Sequence, residues 1–131
     1  MTAADRYVII LTVRAYHDPP EESKYAPFTA RAIVIIRSIP RGKVASYAMV
    51  ATLAGSPLAA RQVVRVLHTL SRVEKLPWHR VINSKGAIAL RKGAGFEDQK
   101  RLLIAEGVKV GPKGQVSLEK YRWRPRLDSL P

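Results

Sequence analysis

The 131-residue chain contains no cysteine. That single absence excludes disulfides, thiolate metal sites, thiol redox chemistry and a thiol nucleophile, and it leaves three histidines as the only soft ligands. Acidic residues are scarce as well: Asp+Glu 10 against Lys+Arg 23 gives a formal net charge of +13 and a pI near 10.6. An imbalance of that size points to a polyanionic partner, nucleic acid first. Long apolar runs are also missing. The longest near the start, residues 7–13, is seven residues long, too short to span a bilayer, and no small-residue cleavage site follows it. The expectation is a soluble, intracellular protein with no membrane partner, no metal and no cofactor. At 14.6 kDa it has room for one small domain and not for a large multi-domain enzyme.

The charge is not spread evenly. Between residues 24 and 96 the only acid is Glu74, against thirteen basic residues, so this segment carries +12 of the net +13. Concentrated charge suits a binding surface. The bland alternative is a cationic surface with no dedicated partner.

Punctuation by Pro, Gly and Ser divides the chain into an N-terminal extension (1–26), a domain (27–126) and a short tail (127–131). The extension reads as an apolar strand at 7–13 followed by a proline-bearing linker. In the domain, Phe28, Ala32, Ile35, Ile36 and Ile39 recur at helical spacing, with Pro27 suited to a first turn and Pro40 to an end, although the β-branched content keeps a strand in play. Ser46 caps a helix over 47–54 that Gly55 stops, and Ser56-Pro57 caps and opens a second helix reaching Leu70. Two helices so closely joined read as helix-turn-helix. In the second, Ala60, Val63, Val64, Leu67 and Leu70 form an apolar stripe, while Arg61, Arg65, His68 and Arg72 line a polar face able to meet phosphates. A further amphipathic helix over 96–106 is stopped by Gly107, and residues 108–118 suggest a small hairpin or wing. The fold class is therefore mainly α, a helix-turn-helix or winged-helix-like DNA-binding domain with a small β hairpin. Such helices usually dock in the major groove, and sequence pattern alone does not choose the groove.

The passage Pro77-Trp78-His79-Arg80-Val81-Ile82-Asn83-Ser84, preceded by residues 39–47 (Ile-Pro-Arg-Gly-Lys-Val-Ala-Ser-Tyr) and by Ala59-Ala60-Arg61-Gln62, resembles the DNA-binding domain of the O6-alkylguanine-DNA alkyltransferases. Those enzymes carry Pro-Cys-His-Arg-Val where this chain has Trp78, so it is similar to the alkyltransferase-like proteins, the non-catalytic branch. The chemistry agrees. Taking an alkyl group from the guanine oxygen needs an activated thiolate, whereas an indole offers no such lone pair but a flat face on which a purine can stack, worth roughly 1–3 kcal/mol.

The resemblance implies roles for single residues. Tyr47 matches the tyrosine that rotates the phosphate of the target nucleotide, and Arg61 the arginine that enters through the minor groove and fills the space of the flipped base. Ala59 and Ala60, being small, would let the helix approach the groove floor. Arg91 matches an arginine near the flipped base, able to act by cation–π contact. Val81 falls on the pocket wall, and Ser46 and Arg65 are candidates for phosphate contact. His79 and Glu106 match the pair that activates the cysteine in the enzymes; without a thiol they become a structural, hydrogen-bonded pair holding the turn of Trp78. Leu70 stands where the enzymes have an asparagine, which further removes catalysis. The segment 121–125 is expected to border the pocket.

The resemblance thus implies a monomeric, non-enzymatic sensor that binds O6-alkylguanine in duplex DNA, flips it against Trp78 and channels it to nucleotide excision repair proteins. It would work in the cytoplasm, associated with the nucleoid, in a prokaryote, or in the nucleus of a eukaryote. Two rivals remain: a winged-helix regulator or architectural DNA binder indifferent to alkylation, and a residual enzyme using His79 or Ser84 as nucleophile.

Overall fold

A computed structural model describes residues 23–125. The strand expected at 7–13 and the tail 127–131 lie outside the described residues. Five helices, one 3-10 turn and a two-stranded sheet follow in order: α1 (Pro27–Ser38), β1 (Ala45–Ser46), α2 (Tyr47–Leu53), α3 (Ala60–Leu70), the 3-10 turn (Trp78–Arg80), β2 (Val81–Ile82), α4 (Phe96–Ala105) and α5 (Leu118–Tyr121). None of these helices is long and apolar enough to cross a membrane.

In α1 the helical spacing prevails over the β-branched content. Ala32, Ile35 and Ile36 are completely buried, and burying an aliphatic side chain of this size contributes about 1.5–3 kcal/mol, several times the helix-propensity deficit of an isoleucine. Pro27 occupies the first turn, and Ile39, placed before Pro40, turns extended at φ −66°, ψ 119°. Ser46 caps α2 as expected, its Oγ accepting from Met49 N at 3.0 Å.

Strands β1 and β2 are two residues each and pair in parallel, Ala45 with Val81 and Ser46 with Ile82. Alternation across this short sheet splits the interior in two. Ala45 and Val81 join α1, α2, α3 and Trp123 in one core. Val44 and Ile82 join Ile88, Phe96, Leu103, Val108, Val116 and Tyr121 in the other. On the other side Val44 is held by the C-terminal segment, donating to Tyr121 O at 2.9 Å and accepting from Trp123 N at 2.8 Å.

Four local expectations are corrected. The β element is the parallel pair and not a hairpin over 108–118. There Gly111 N donates to Gln115 O and one antiparallel bridge joins Ala87 to Gln115, but Leu118 turns into α5 before a second strand can form. Helix α3 starts at Ala60 and not at Ser56-Pro57: those two residues form a turn closed by Ala59 N to Ser56 O at 2.9 Å, with Pro57 in the position that turns favour. Within α3 the core position belongs to Val66, whereas Val64, expected in the apolar stripe, is 46% exposed. Finally, Tyr121 and Trp123 are buried in the two cores instead of bordering a pocket.

Candidate nucleic-acid interface

Parallel pairing of β1 with β2 fixes the geometry of the site, because Tyr47 directly follows β1 and Val81 opens β2 just after the 3-10 turn of Trp78. These three residues line one cavity of about 240 Å³. Its other walls come from α3 and its end (Val64, Leu67, His68, Ser71), from the loop before α4 (Leu90, Ala94) and from α4 itself (Gln99). Val64 is therefore exposed for a reason: it faces the cavity. Burial raises the Tyr47 phenol above its usual pKa, so it is a neutral hydrogen-bond donor throughout the physiological range.

Arg61 is not in this cavity. It lies with Ala59, Pro57 and Leu58 around a shallow hollow at the start of α3. The two sites are nevertheless connected by one helix face: positions 61, 64/65 and 68 succeed one another at intervals of one turn, each roughly 5 Å along the axis. Arg61 thus stands one turn from Val64 and two from His68 at the cavity wall. Helix α3 has no side-chain cap and no acid in its first turn, so its N-terminal dipole and amide groups are not opposed by local negative charge. Arg61, Arg65, His68 and Arg72 are all exposed, as expected of a phosphate-facing surface.

Arg91 is exposed in the loop that supplies the cavity wall. Its own side chain does not line the cavity, but its neighbour Leu90 does, and its carbonyl accepts from Ala94 N at 2.9 Å and Phe96 N at 3.3 Å. Gly95 makes this loop possible. It has φ 112°, and a Cβ there would meet Leu90 Cδ1 at 2.7 Å, so only glycine lets the chain turn into α4 while pressing Leu90 against the site.

Beneath the 3-10 turn lies the polar centre of the fold. His79 Nε2 and Glu106 Oε2 are 2.8 Å apart, with side chains 12% and 7% exposed. Arg80, not singled out by the sequence, is the third member: its Nε and Nη2 donate to the same carboxylate, Nη2 at 2.7 Å, and its Nη1 donates to Ile39 O at 2.8 Å. Gly42 N donates to Glu106 Oε1 at 2.9 Å. Burial pushes the Glu106 pKa up, but the Arg80 hydrogen bonds, the Gly42 amide and His79 outweigh it and hold the carboxyl at about 2. A carboxylate so saturated ties α1's end and α4's end to the motif and is a poor base. Trp78, T-shaped against the His79 ring at a centroid distance of 6.3 Å, presents no nucleophile. Ser84 sits exposed in the turn at 83–87, outside the cavity.

Sequence reasoning missed Gln99, Ser71 and Leu90 as cavity residues. Gln99 carried a signal: Phe96, Gln99 and Leu103 share the buried spacing of α4, so a polar residue there must find partners inside.

Residues 27–108 match the family described as 6-O-methylguanine DNA methyltransferase, DNA binding domain. A DNA base-flipping protein of Escherichia coli is 48% identical over 107 residues, covering 80% of this chain and 82% of its own length. Alkyltransferase-like protein 1 of Schizosaccharomyces pombe is 37% identical over 103 residues, 75% of this chain and 95% of its own. The crystal structure of that yeast alkyltransferase-like protein in complex with damaged DNA containing O6-carboxymethylguanine superposes with a TM-score of 0.70 at 35% identity, covering 79% of this chain and all of that one. The family match, these relatives and a tryptophan at the position of the enzymes' cysteine agree: the chain belongs to the 6-O-methylguanine DNA methyltransferase DNA-binding family, as a non-enzymatic, alkyltransferase-like member.

Proposed function

We propose that this protein is a DNA-damage sensor that binds O6-alkylguanine in duplex DNA, everts it from the stack and holds it against Trp78 without altering it. One observation carries the reading: an aromatic-lined cavity with no thiol lies one helical turn from Arg61 along the exposed basic face of α3. Arg61 enters through the minor groove and fills the gap in the stack, and the small Ala59 and Ala60 allow the close approach. Tyr47 donates to the phosphate of the turned nucleotide, with Ser46 and Arg65 contacting the backbone nearby. Val81 walls the pocket, and Arg91 closes over the base from the loop. Everting a base costs a few kcal/mol, least for a poorly paired lesion, and this favours damage over normal guanine. Support comes from the yeast relative, whose structure holds DNA containing O6-carboxymethylguanine.

Since the protein leaves the lesion intact, its product is a marked site, and we assign removal to nucleotide excision repair proteins that recognise the bound complex. Equilibrium binding to a duplex carrying O6-methylguanine and to its undamaged counterpart tests the function. A preference of about tenfold or more for the damaged duplex is expected; equal affinities would leave only a general basic DNA binder.

A further inference from the structure

Among the described residues, three buried side-chain polar atoms make no hydrogen bond within the protein: Ser71 Oγ, Gln99 Oε1 and Trp123 Nε1. Two of the three, Ser71 and Gln99, belong to residues that line the Trp78 cavity. Gln99 is 1% exposed. Its Nε2 donates twice, to His79 O at 3.1 Å and to Val81 O at 2.9 Å. Those two carbonyls determine which end of the amide is which, because a flipped amide would set oxygen against oxygen. The free end is therefore an acceptor with two lone pairs, held rigidly by the motif backbone. Buried acceptors without a partner are rare, and one belonging to the wall of a cavity points to a ligand that donates.

We propose that Gln99 is a specificity-determining residue of this cavity, its Oε1 accepting a hydrogen bond from the exocyclic amine of the everted base, with the Ser71 hydroxyl as a second polar contact. The proposal rests on the cavity being the base pocket. Alkylation at O6 removes the N1 proton of guanine, so the 2-amino group is the one N–H donor left on the ring system. An acceptor wall suits that base and discriminates against purines without a 2-amino group. Gln99 thus reads which base has entered and not whether it is alkylated; the alkyl group is read by weakened pairing and by apolar contact.

The test is binding of the full chain to three duplexes that differ at one base: O6-methylguanine, O6-methylhypoxanthine, which lacks only the amine, and guanine. Losing the amine also weakens pairing and eases eversion, so any preference for the amine acts against that bias. The expected result is about tenfold tighter binding to O6-methylguanine than to O6-methylhypoxanthine, the size of one well-placed hydrogen bond. Gln99→Met, which removes donor and acceptor, and Gln99→Lys, which keeps a donor for the two carbonyls, should each abolish that difference. Circular dichroism identifies which variants fold. Equal wild-type binding to both alkylated duplexes, with each above guanine, overturns the role of Gln99 and leaves the damage-sensing function standing. A folded variant that retains the tenfold difference also overturns it. Wild-type binding that ranks neither alkylated duplex above guanine removes the function itself, and the Gln99 proposal with it.

Discussion

Trp78 and Arg61 occupy separate places, Trp78 in the cavity and Arg61 at the hollow where α3 begins. Under the proposed function Trp78 contacts only a base that has left the stack, whereas Arg61 contacts any duplex, damaged or not. Trp78→Ala is therefore expected to lower affinity for an O6-methylguanine duplex by roughly 1–3 kcal/mol with little change for undamaged DNA. Arg61→Ala should weaken both. Titrations of both variants against both duplexes decide the point, and equal loss of preference in the two would contradict the division. Glu106 belongs to the same scale. Its carboxyl, held near pKa 2 against an ordinary 4.5, gives stability that is present above about pH 4.5 and is lost as the pH falls toward 2, on the order of 3 kcal/mol in total. Glu106→Gln leaves the Arg80 guanidinium without its charged partner and should cost about 3–5 kcal/mol in urea unfolding at pH 7, with a shallower acid limb. Trp78, His79 and Glu106 were legible from motif and spacing. Arg80 was not, because an arginine in a basic sequence gives no sign that it is turned inward.

At the scale of elements, legibility followed the length of the local signal. Helix α1 could be read because twelve residues repeat the apolar period, and α2 because a serine cap precedes it. The parallel pair could not be read at all: two-residue strands show no alternation, and their partners are 36 positions apart, Ala45 with Val81. The hairpin expected at 108–118 failed for the opposite reason, since its alternation and turn residues are present but the long-range docking of Tyr121 beside Val44 draws the second arm into α5. The loop before α4 makes the element-level prediction. Gly95→Ala sets a Cβ 2.7 Å from Leu90 Cδ1 at a φ of 112°. It should destabilise by more than about 1 kcal/mol and weaken lesion binding by displacing the cavity wall, while binding to undamaged duplex changes little; thermal melts and the paired titrations measure the two effects.

Over the whole molecule the charge and the missing cysteine have a single explanation. Of the +12 held between residues 24 and 96, Arg61, Arg65 and Arg72 are exposed on α3 or just past its end and Arg91 is exposed in the loop that supplies the cavity wall, so under the proposed function affinity for any duplex should fall steeply with salt. Plotting log affinity against log salt for the wild type and for Arg65→Ala should give a slope lower by about 1 in the variant if Arg65 neutralises one phosphate. Beyond charge, the proposed function requires that a damaged base stack on Trp78. The chain has two tryptophans, and Trp123 is 3% exposed in the core, so a Trp123→Phe variant isolates the emission of Trp78. Titrating that variant with an O6-methylguanine duplex should quench its fluorescence, while an undamaged duplex, bound through the same basic face, should leave it largely unchanged. Equal quenching by both, or none by either at saturation, would contradict the account.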